Sequence, residues 1–470
     1  MATDCDLAVI GAGPAGLAAA RQATELGLSV VVLDEQGEPG GQIYRAIETT
    51  RLKQPDRLAR LGPDYARGAP LVEAMRAARV DYRASAVVWN VDRDLTVNYS
   101  SEGGSQAVAA RHVLVATGAI ERAVPIPGWT LPGVMTAGAL QILLKAQGLV
   151  PDGRVVLAGC GPLLLLLASQ YLAFGVRPAA IVETVPRGRL LAALPHLLSA
   201  MRAPEYLRKG QAMLRAIRAA GFPVHKAASG LMVEGDGKAE ALVFQSGGRS
   251  HRVEADIVAL HQGVVPNQQV TRLLGCEHDW DDLQRCFRPR LDDWFFSSVE
   301  GVSVAGDGGG IGGAKAAEMR GRLAALGLAA RLGRIDAAAR DRRAAADRAA
   351  LARELAVRPF LDALYAPPDD VLRPADEVLI CRCEEVTAGR LREAVRLGCP
   401  GPNQAKSFLR CGMGPCQGRL CGLPVTEIIA EARGVGPQEI DYYRIRPPLK
   451  PLTLGELAAL DESGEGEEAA

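Results

Sequence analysis

The sequence predicts an α/β protein with two nucleotide-type β-α-β units and a small, cysteine-rich helical unit toward the C-terminal end. Three observations carry this. A Gly-x-Gly-x-x-Gly turn, Gly11 to Gly16, stands between an apolar run and a helical stretch. A second such turn opens at Gly159 and has lost its last glycine. Six of the ten cysteines fall between residues 381 and 421.

The first unit starts at 6–11, mostly apolar, as a strand buried on both faces should be. A helix over 14–26 and a strand over 29–33 complete it. Residues 42–80 read as helical pieces and loops, and strands follow at 85–91, 94–99 and 111–116. The second unit has a strand from Arg154, a helix over 163–174 and a strand over 179–183. Further strands are expected at 241–245, 253–260 and 302–305, then a helix from Ala314. Residues 328–356 are rich in Ala and Arg and read as helix. "YAPPDDVLRPADE", with three prolines and four acids, reads as a linker, and the tail "DESGEGEEAA" as disordered.

Composition narrows the function. A chain of 470 residues suits about three domains. With 48% hydrophobic and 23% charged residues, sizeable cores can form. Lys plus Arg is 54 and Asp plus Glu is 54, so no charge excess calls for nucleic acid or an anionic membrane. "MATDCDLAVIGAG" has no basic n-region or cleavage site, so no secretory signal is read. The cysteines then lean toward metal or redox chemistry rather than disulfides. Cys5, Cys160, Cys276, Cys286 and Cys399 are scattered and read as small buried hydrophobes. The apolar stretch 155–174 is long enough to span a bilayer, but Gly159, Gly161 and Pro162 break it. It reads as a buried strand and helix, with no transmembrane segment.

The first turn carries a nucleotide-site logic. Gly11 permits the tight turn, Gly13 lets the backbone approach a pyrophosphate, and Gly16 lets helix pack on strand. Asp34-Glu35 ends the next strand and can accept a ribose hydroxyl. In the second turn Gly159 and Gly161 remain, but Leu164 replaces the third glycine. Glu183 still ends the following strand. The reading favours a retained scaffold with poor or no NAD(P) binding over a working nicotinamide site. Farther on, Cys381-x-Cys383 follows a short strand, and Cys411-x4-Cys416 lies beyond a helical hairpin. Two such pairs can make a four-sulfur site, and spacing alone leaves zinc and iron–sulfur both open. No acid–base pair for substrate chemistry and no catalytic residue is identified; His196, His225 and His261 read as surface or core residues.

Several segments then add a resemblance. "HVLVATGAIE" (112–121) and "VSVAGDGGG" (302–310) resemble flavin-contacting segments of the pyridine nucleotide–disulfide oxidoreductase fold, and "PGGQIYR" (39–45) resembles the loop along the isoalloxazine. A plain NAD dehydrogenase offers no reason for Asp307. The resemblance implies FAD, held by Gly11, Gly13, Pro14, Ala15, Gly16, Asp34, Glu35, Gly40, Gly41, Gln42, Ala116, Thr117, Gly118, Gly306 and Asp307. There is no C-x4-C after the first acid and no C-x-x-C in the middle, which disfavours glutathione-type and thioredoxin reductases. C-x-C, then C-x4-C within "GMGPCQGRLC", resembles a bacterioferritin-associated-ferredoxin-like (BFD-like) [2Fe-2S] domain over about 380–435. That resemblance implies Cys381, Cys383, Cys411 and Cys416 as ligands and leaves Cys421 an ordinary buried thiol.

In this order the parts resemble one family: the α or A subunits of hetero-oligomeric FAD-dependent amine dehydrogenases. It includes the A subunits of opine oxidases, the B subunit of hydrogen cyanide synthase and the α subunits of proline and hydroxyproline dehydrogenases. "GCGPLLLLLA", "CRCEEVT" and "YYRIRPPLKPL" belong to the match. The resemblance implies substrate oxidation on a partner β subunit of the D-amino-acid-oxidase type with its own FAD. It implies FMN between the chains, [2Fe-2S] as the exit, and a quinone or cytochrome chain downstream. It also implies a cytoplasmic place, or one on the face of the inner membrane. The implied division is an FAD domain at 1–120 with 261–330, a degenerate Rossmann domain at 121–260, and a helical linker at 331–377. The [2Fe-2S] domain takes 378–435 and a C-terminal extension 436–470. Two other readings stay open: a free-standing NAD(P)H-dependent ferredoxin or acceptor reductase, and a structural subunit holding an inert nucleotide such as ATP.

Overall fold

A computed structural model describes residues 3–462, with side chains described to residue 460. Two parallel five-stranded sheets organise the chain. In the first, Val302–Val304, Val113–Val115, Leu7–Ile10, Val30–Leu33 and Asp81–Arg83 lie side by side in that order. In the second the order is Val224–His225, Ala180–Glu183, Val155–Cys160, Ile257–Gln262 and Val134–Thr136. The central strands are apolar throughout and fully buried, as both faces are covered. Ala119–Glu121 and Val264–Pro266 pair antiparallel as the two connections between the sheets.

Helix packing in the first unit depends on bare backbone. A Cβ at Gly16 would stand 1.9 Å from the Gly11 carbonyl oxygen, so helix Pro14–Glu25 lies against its own turn only because that atom is missing. Helix Ala314–Arg331 crosses the same helix; a Cβ at Gly321 would stand 2.1 Å from the Ala15 carbonyl oxygen. The antiparallel sheet Val87–Val91, Thr96–Ser101 and Gly104–Ala109 is added to this unit.

The apolar stretch at 155–174 resolves, as expected, into strand Val155–Cys160 and helix Pro162–Ala173. Among the described residues no helix is long and apolar enough to cross a membrane. Other expectations need correction. The single strand expected at 253–260 is two: Arg249–Glu254 ends a meander with Ser229–Glu234 and Ala241–Ser246, and Ile257–Gln262 joins the second sheet. The chain turns between them at Ala255-Asp256, where Asp256 holds Arg154. Strand Asp81–Arg83 follows directly on the stretch expected as helical pieces and loops; its three residues are too few for a periodic signal.

Helices Ala337–Leu355 and Arg358–Leu364 lead to the cysteine unit. This unit holds the short ladder Leu379–Cys381 with Val386–Thr387 and helices Ala388–Arg396, Pro402–Leu409 and Gly422–Arg433. Residues 441–452 then run as an extended strap to helix Leu454–Glu462, which packs on strand Gly104–Ala109. The expected disordered tail begins at 461; from 463 onward it lies outside the described residues.

Gly321→Val should destabilise the protein by about 1–3 kcal/mol through overpacking, read as a lowered midpoint of thermal unfolding. Gly188→Ala, where a Cβ meets nothing within 4 Å, should leave that midpoint unchanged.

Candidate functional site

The fold gathers the residues expected at the first nucleotide site. Gly11, at φ 104°, backs onto the Ala116 carbonyl. Gly40 donates to the Ala12 carbonyl at 2.8 Å, which pins the 39–45 loop over the turn. A Cβ at Gly41 would stand 2.8 Å from the Gly13 Cα, so the loop and the turn meet backbone to backbone, with no side chain between them. A Cβ at Gly306 would meet the Ala15 Cβ at 2.9 Å, and one at Gly308 the Gly118 carbonyl oxygen at 3.3 Å. Pro14 opens the helix, and Gln42 is exposed at the rim. Asp307 accepts from the Gly312 and Gly313 N–H groups, both at 2.8 Å, which shapes its loop.

The two acids behave differently. Asp34 is buried and accepts from Ala12 N–H at 2.6 Å and Gln36 N–H at 2.8 Å. Burial pushes its carboxyl up despite these donors. Glu35 is exposed and pairs with Lys450 of the strap. The Thr117 hydroxyl is buried beside the turn and lacks a protein partner. An orphaned hydroxyl and a cradle of missing Cβ atoms fit a phosphate-bearing flavin. Sequence reasoning missed Lys145. Its ammonium is buried under the same loop, 3.4 Å from the Gln42 carbonyl oxygen and 2.8 Å from Gln141 Oε1, and burial lowers it to about 7.

The second glycine turn looks inward. A Cβ at Gly159 would fall 1.7 Å from the His261 carbonyl oxygen. The His261 imidazole stands 3.4 Å from where a Gly161 Cβ would be. Glu121 orients that ring through Nδ1 at 2.6 Å and also accepts from Gly138 N–H at 2.8 Å. The linker covers the neighbouring position: the Cys160 Sγ lies 3.5 Å from the Tyr365 carbonyl oxygen and 3.1 Å from Gln262 Oε1, within reach of either acceptor. Leu164 is 1% exposed. Burial raises the Glu183 carboxyl. Gly159 therefore has a packing reason of its own, and Gly161, at φ 112°, a backbone one. His261 is a core residue, as expected, but its partner Glu121 had no sequence signal.

Five thiols meet in the cysteine unit. The Sγ atoms of Cys381, Cys411 and Cys421 lie within 4.8 Å of one another, all buried. Cys411, then Cys421, donate to Cys381 and hold its thiol down at about 2. Donating pushes Cys411 up to about 12 and Cys421 well above the ordinary thiol range. Cys383 and Cys416 form a second, more accessible pair that interacts through side chain and backbone. A Cβ at Gly414 would stand 2.2 Å from the Cys383 Cβ, so that glycine admits Cys383 to the loop. Cys421, which spacing leaves out, thus stands among the expected ligands. Three buried sulfurs within 4.8 Å of one another, with a second cysteine pair in the same unit, fit an iron–sulfur donor set.

The cysteine unit is bound to both larger units by named contacts. Trp129 Nε1 donates to the Leu379 carbonyl at 2.7 Å, and Arg285 Nε donates to Glu427 Oε1 at 2.9 Å. Gln269 Nε2 donates to the Gln417 carbonyl at 3.3 Å, beside Cys416. Two residues before it, the Asn267 N–H donates to the Gly118 carbonyl at 3.0 Å. Arg272 pairs with Asp441 at 2.6 Å and lies over the Phe287 and Tyr442 rings.

The comparisons with known proteins follow this division. The pyridine nucleotide-disulphide oxidoreductase family matches residues 5–321, and the BFD-like [2Fe-2S] binding domain matches 379–431. The opine oxidase A subunit of Agrobacterium tumefaciens (strain Ach5) is 47% identical over 97% of this chain and 92% of its own. The hydrogen cyanide synthase subunit HcnB of Pseudomonas aeruginosa is 32% identical over 94% of this chain and 96% of its own. The crystal structure of L-proline dehydrogenase from P. horikoshii superposes with a TM-score of 0.70 at 20% identity, covering 96% of this chain and 79% of that one, a likeness of fold. The chain belongs to the pyridine nucleotide-disulphide oxidoreductase family, carries a BFD-like [2Fe-2S] binding domain, and is related over nearly its full length to opine oxidase A subunits.

Proposed function

We propose that this chain is the electron-transferring subunit of a hetero-oligomeric dehydrogenase. A partner of the D-amino-acid-oxidase type, with its own FAD, oxidises a C–N bond of an opine, proline, hydroxyproline or glycine. The chain works in the cytoplasm or on the face of the inner membrane, with a quinone or cytochrome chain as final acceptor. The observation that carries the reading is the short bridge Asn267–Gln269, which touches the flavin turn at Gly118 and the cysteine loop at Gln417. The relatives' own names, which make them subunits, support the need for a partner.

When bound, a flavin takes two electrons and a [2Fe-2S] cluster takes one, so together they convert paired electrons into single ones. The chain's residues hold these groups. The bare backbone at Gly11, Gly13, Gly40 and Gly41 seats the pyrophosphate of FAD, with Pro14, Ala15 and Gly16 opening the helix behind it. Glu35 and Asp34 flank the adenosine ribose, Ala116, Thr117 and Gly118 line the site, and Gly306 and Asp307 close it. FMN sits between this chain and its partner. Cys381, Cys383, Cys411 and Cys416 are the proposed cluster ligands, and Cys421, against Cys381 and Cys411, competes with Cys411 for the fourth place.

The free-standing NAD(P)H-dependent reductase is disfavoured by His261 and the Tyr365 backbone beside the second turn.

Three outcomes follow. Cys381→Ser should strip iron and labile sulfide from the purified protein, whereas Cys276→Ser should not; comparing Cys411→Ser with Cys421→Ser identifies the fourth ligand by which variant loses iron. Millimolar NADH, added anaerobically, should leave the flavin absorbance unbleached over seconds. The isolated chain should not oxidise an opine or imino acid with a dye acceptor; activity at the full rate of the complex would end the two-subunit reading.

A further inference from the structure

The strap at 441–452 reaches both candidate centres. Near one end Tyr443 is 1% exposed, and its hydroxyl donates to Cys411 Sγ at 3.3 Å and stands 3.6 Å from Cys421 Sγ. A buried tyrosine hydroxyl needs a partner, and here both partners are sulfur. The cysteine loop is cut to admit this ring. A Cβ at Gly412 would stand 2.5 Å from the Tyr443 Cζ, and one at Gly418 would stand 2.6 Å from its Cδ2. Lys406 Nζ lies 4.9 Å from the ring centroid. Tyr442, next to it, plays a different part: its hydroxyl donates to the Gly418 carbonyl at 3.0 Å, not to sulfur. The strap is then fixed farther along. Leu449 N–H donates to the Trp89 carbonyl at 2.7 Å, Arg419 Nη2 donates to the Leu449 carbonyl at 2.8 Å, and Lys450 pairs with Glu35.

We propose that Tyr443 is a potential-setting residue, whose hydroxyl donates to a cysteine sulfur of the [2Fe-2S] cluster and so favours the reduced state. This rests on the reading that these thiols hold such a cluster. It holds whether Cys411 or Cys421 is the ligand, since the hydroxyl reaches both. Reduction adds negative charge to the cluster and its sulfurs, and a hydrogen bond to a more negative acceptor is stronger. Hydrogen bonds to sulfur are among the recognised determinants of iron–sulfur potentials. Removing this donor therefore lowers the potential. A net hydrogen bond of ordinary strength corresponds to about a threefold to tenfold change in an equilibrium constant, and tenfold in a one-electron couple is about 59 mV.

The test is a redox titration of the holoprotein followed by EPR of the reduced cluster, for wild type, Tyr443→Phe and Tyr442→Phe. Tyr443→Phe keeps the ring and should keep iron and sulfide content, with the one-electron equilibrium shifted about threefold to tenfold toward the oxidised cluster. Tyr442→Phe should shift it less. An unchanged potential in Tyr443→Phe, or an equal fall in both variants, overturns the proposal. If Tyr443→Phe loses its iron, wild-type protein grown with 3-fluorotyrosine decides. The more acidic phenol should raise the potential, and an unchanged value again overturns the proposal. A wild-type protein with neither iron nor a reduced-state EPR signal would instead bring down the cluster reading itself.

Discussion

Bare backbone is the constraint on which this structure depends. A β-α-β turn can take a pyrophosphate only where the space beside its glycines is left open. At Gly13 that space faces only the backbone of Gly41, another residue without a side chain, 3.8 Å from where a Gly13 Cβ would be. At Gly161 the corresponding space faces the His261 imidazole. The two turns share a strand–turn–helix plan and differ in what the next loop or strand brings to them. The second is filled by a neighbouring ring, while the first meets only backbone.

The same constraint builds the cysteine unit. Gly414 admits Cys383, and Gly412 and Gly418 admit Tyr443. Removing side chains here makes room for Cys383 and for the Tyr443 phenol. Arg285–Glu427, Trp129 with the Leu379 carbonyl, and Arg272 against Tyr442 and Asp441 then hold that unit on the larger body. Arg285 is itself partly buried and Glu427 almost wholly so, and breaking such a pair from one side leaves an uncompensated charge. The docking is therefore specific in its geometry, with the cysteine loop set beside the bridge to the flavin turn.

Much of this was legible in the sequence because the signals were local. The Gly11–Gly16 turn, the strand before it and the acids after the next strand lie within one β-α-β unit, and the late Asp307 follows a short apolar strand. The loss at Leu164 was visible for the same reason. What was not legible depends on contacts across the chain. Cys411-x4-Cys416 and Cys416-x4-Cys421 have equal gaps, so spacing could not say that Cys421 stands against Cys381. Glu121 and His261 lie on different strands, and nothing local pairs them. Lys450 reaches Glu35 only because the strap travels back to the first sheet. Two strands of the meanders, Gly104–Ala109 and Ser229–Glu234, were not expected at all, since each is half exposed and shows little hydrophobic contrast with the turns beside it.

The electron-transfer reading rests on a pairing, a flavin dinucleotide at the first turn with a two-iron cluster in the cysteine unit. The most direct measurement is acid extraction and chromatography of the nucleotide released from the purified chain, with iron and acid-labile sulfide determined on the same sample. The expected result is FAD together with equal amounts of iron and sulfide. An extract that yields ATP or a pyridine nucleotide in place of FAD, from a sample free of iron and sulfide, would contradict it.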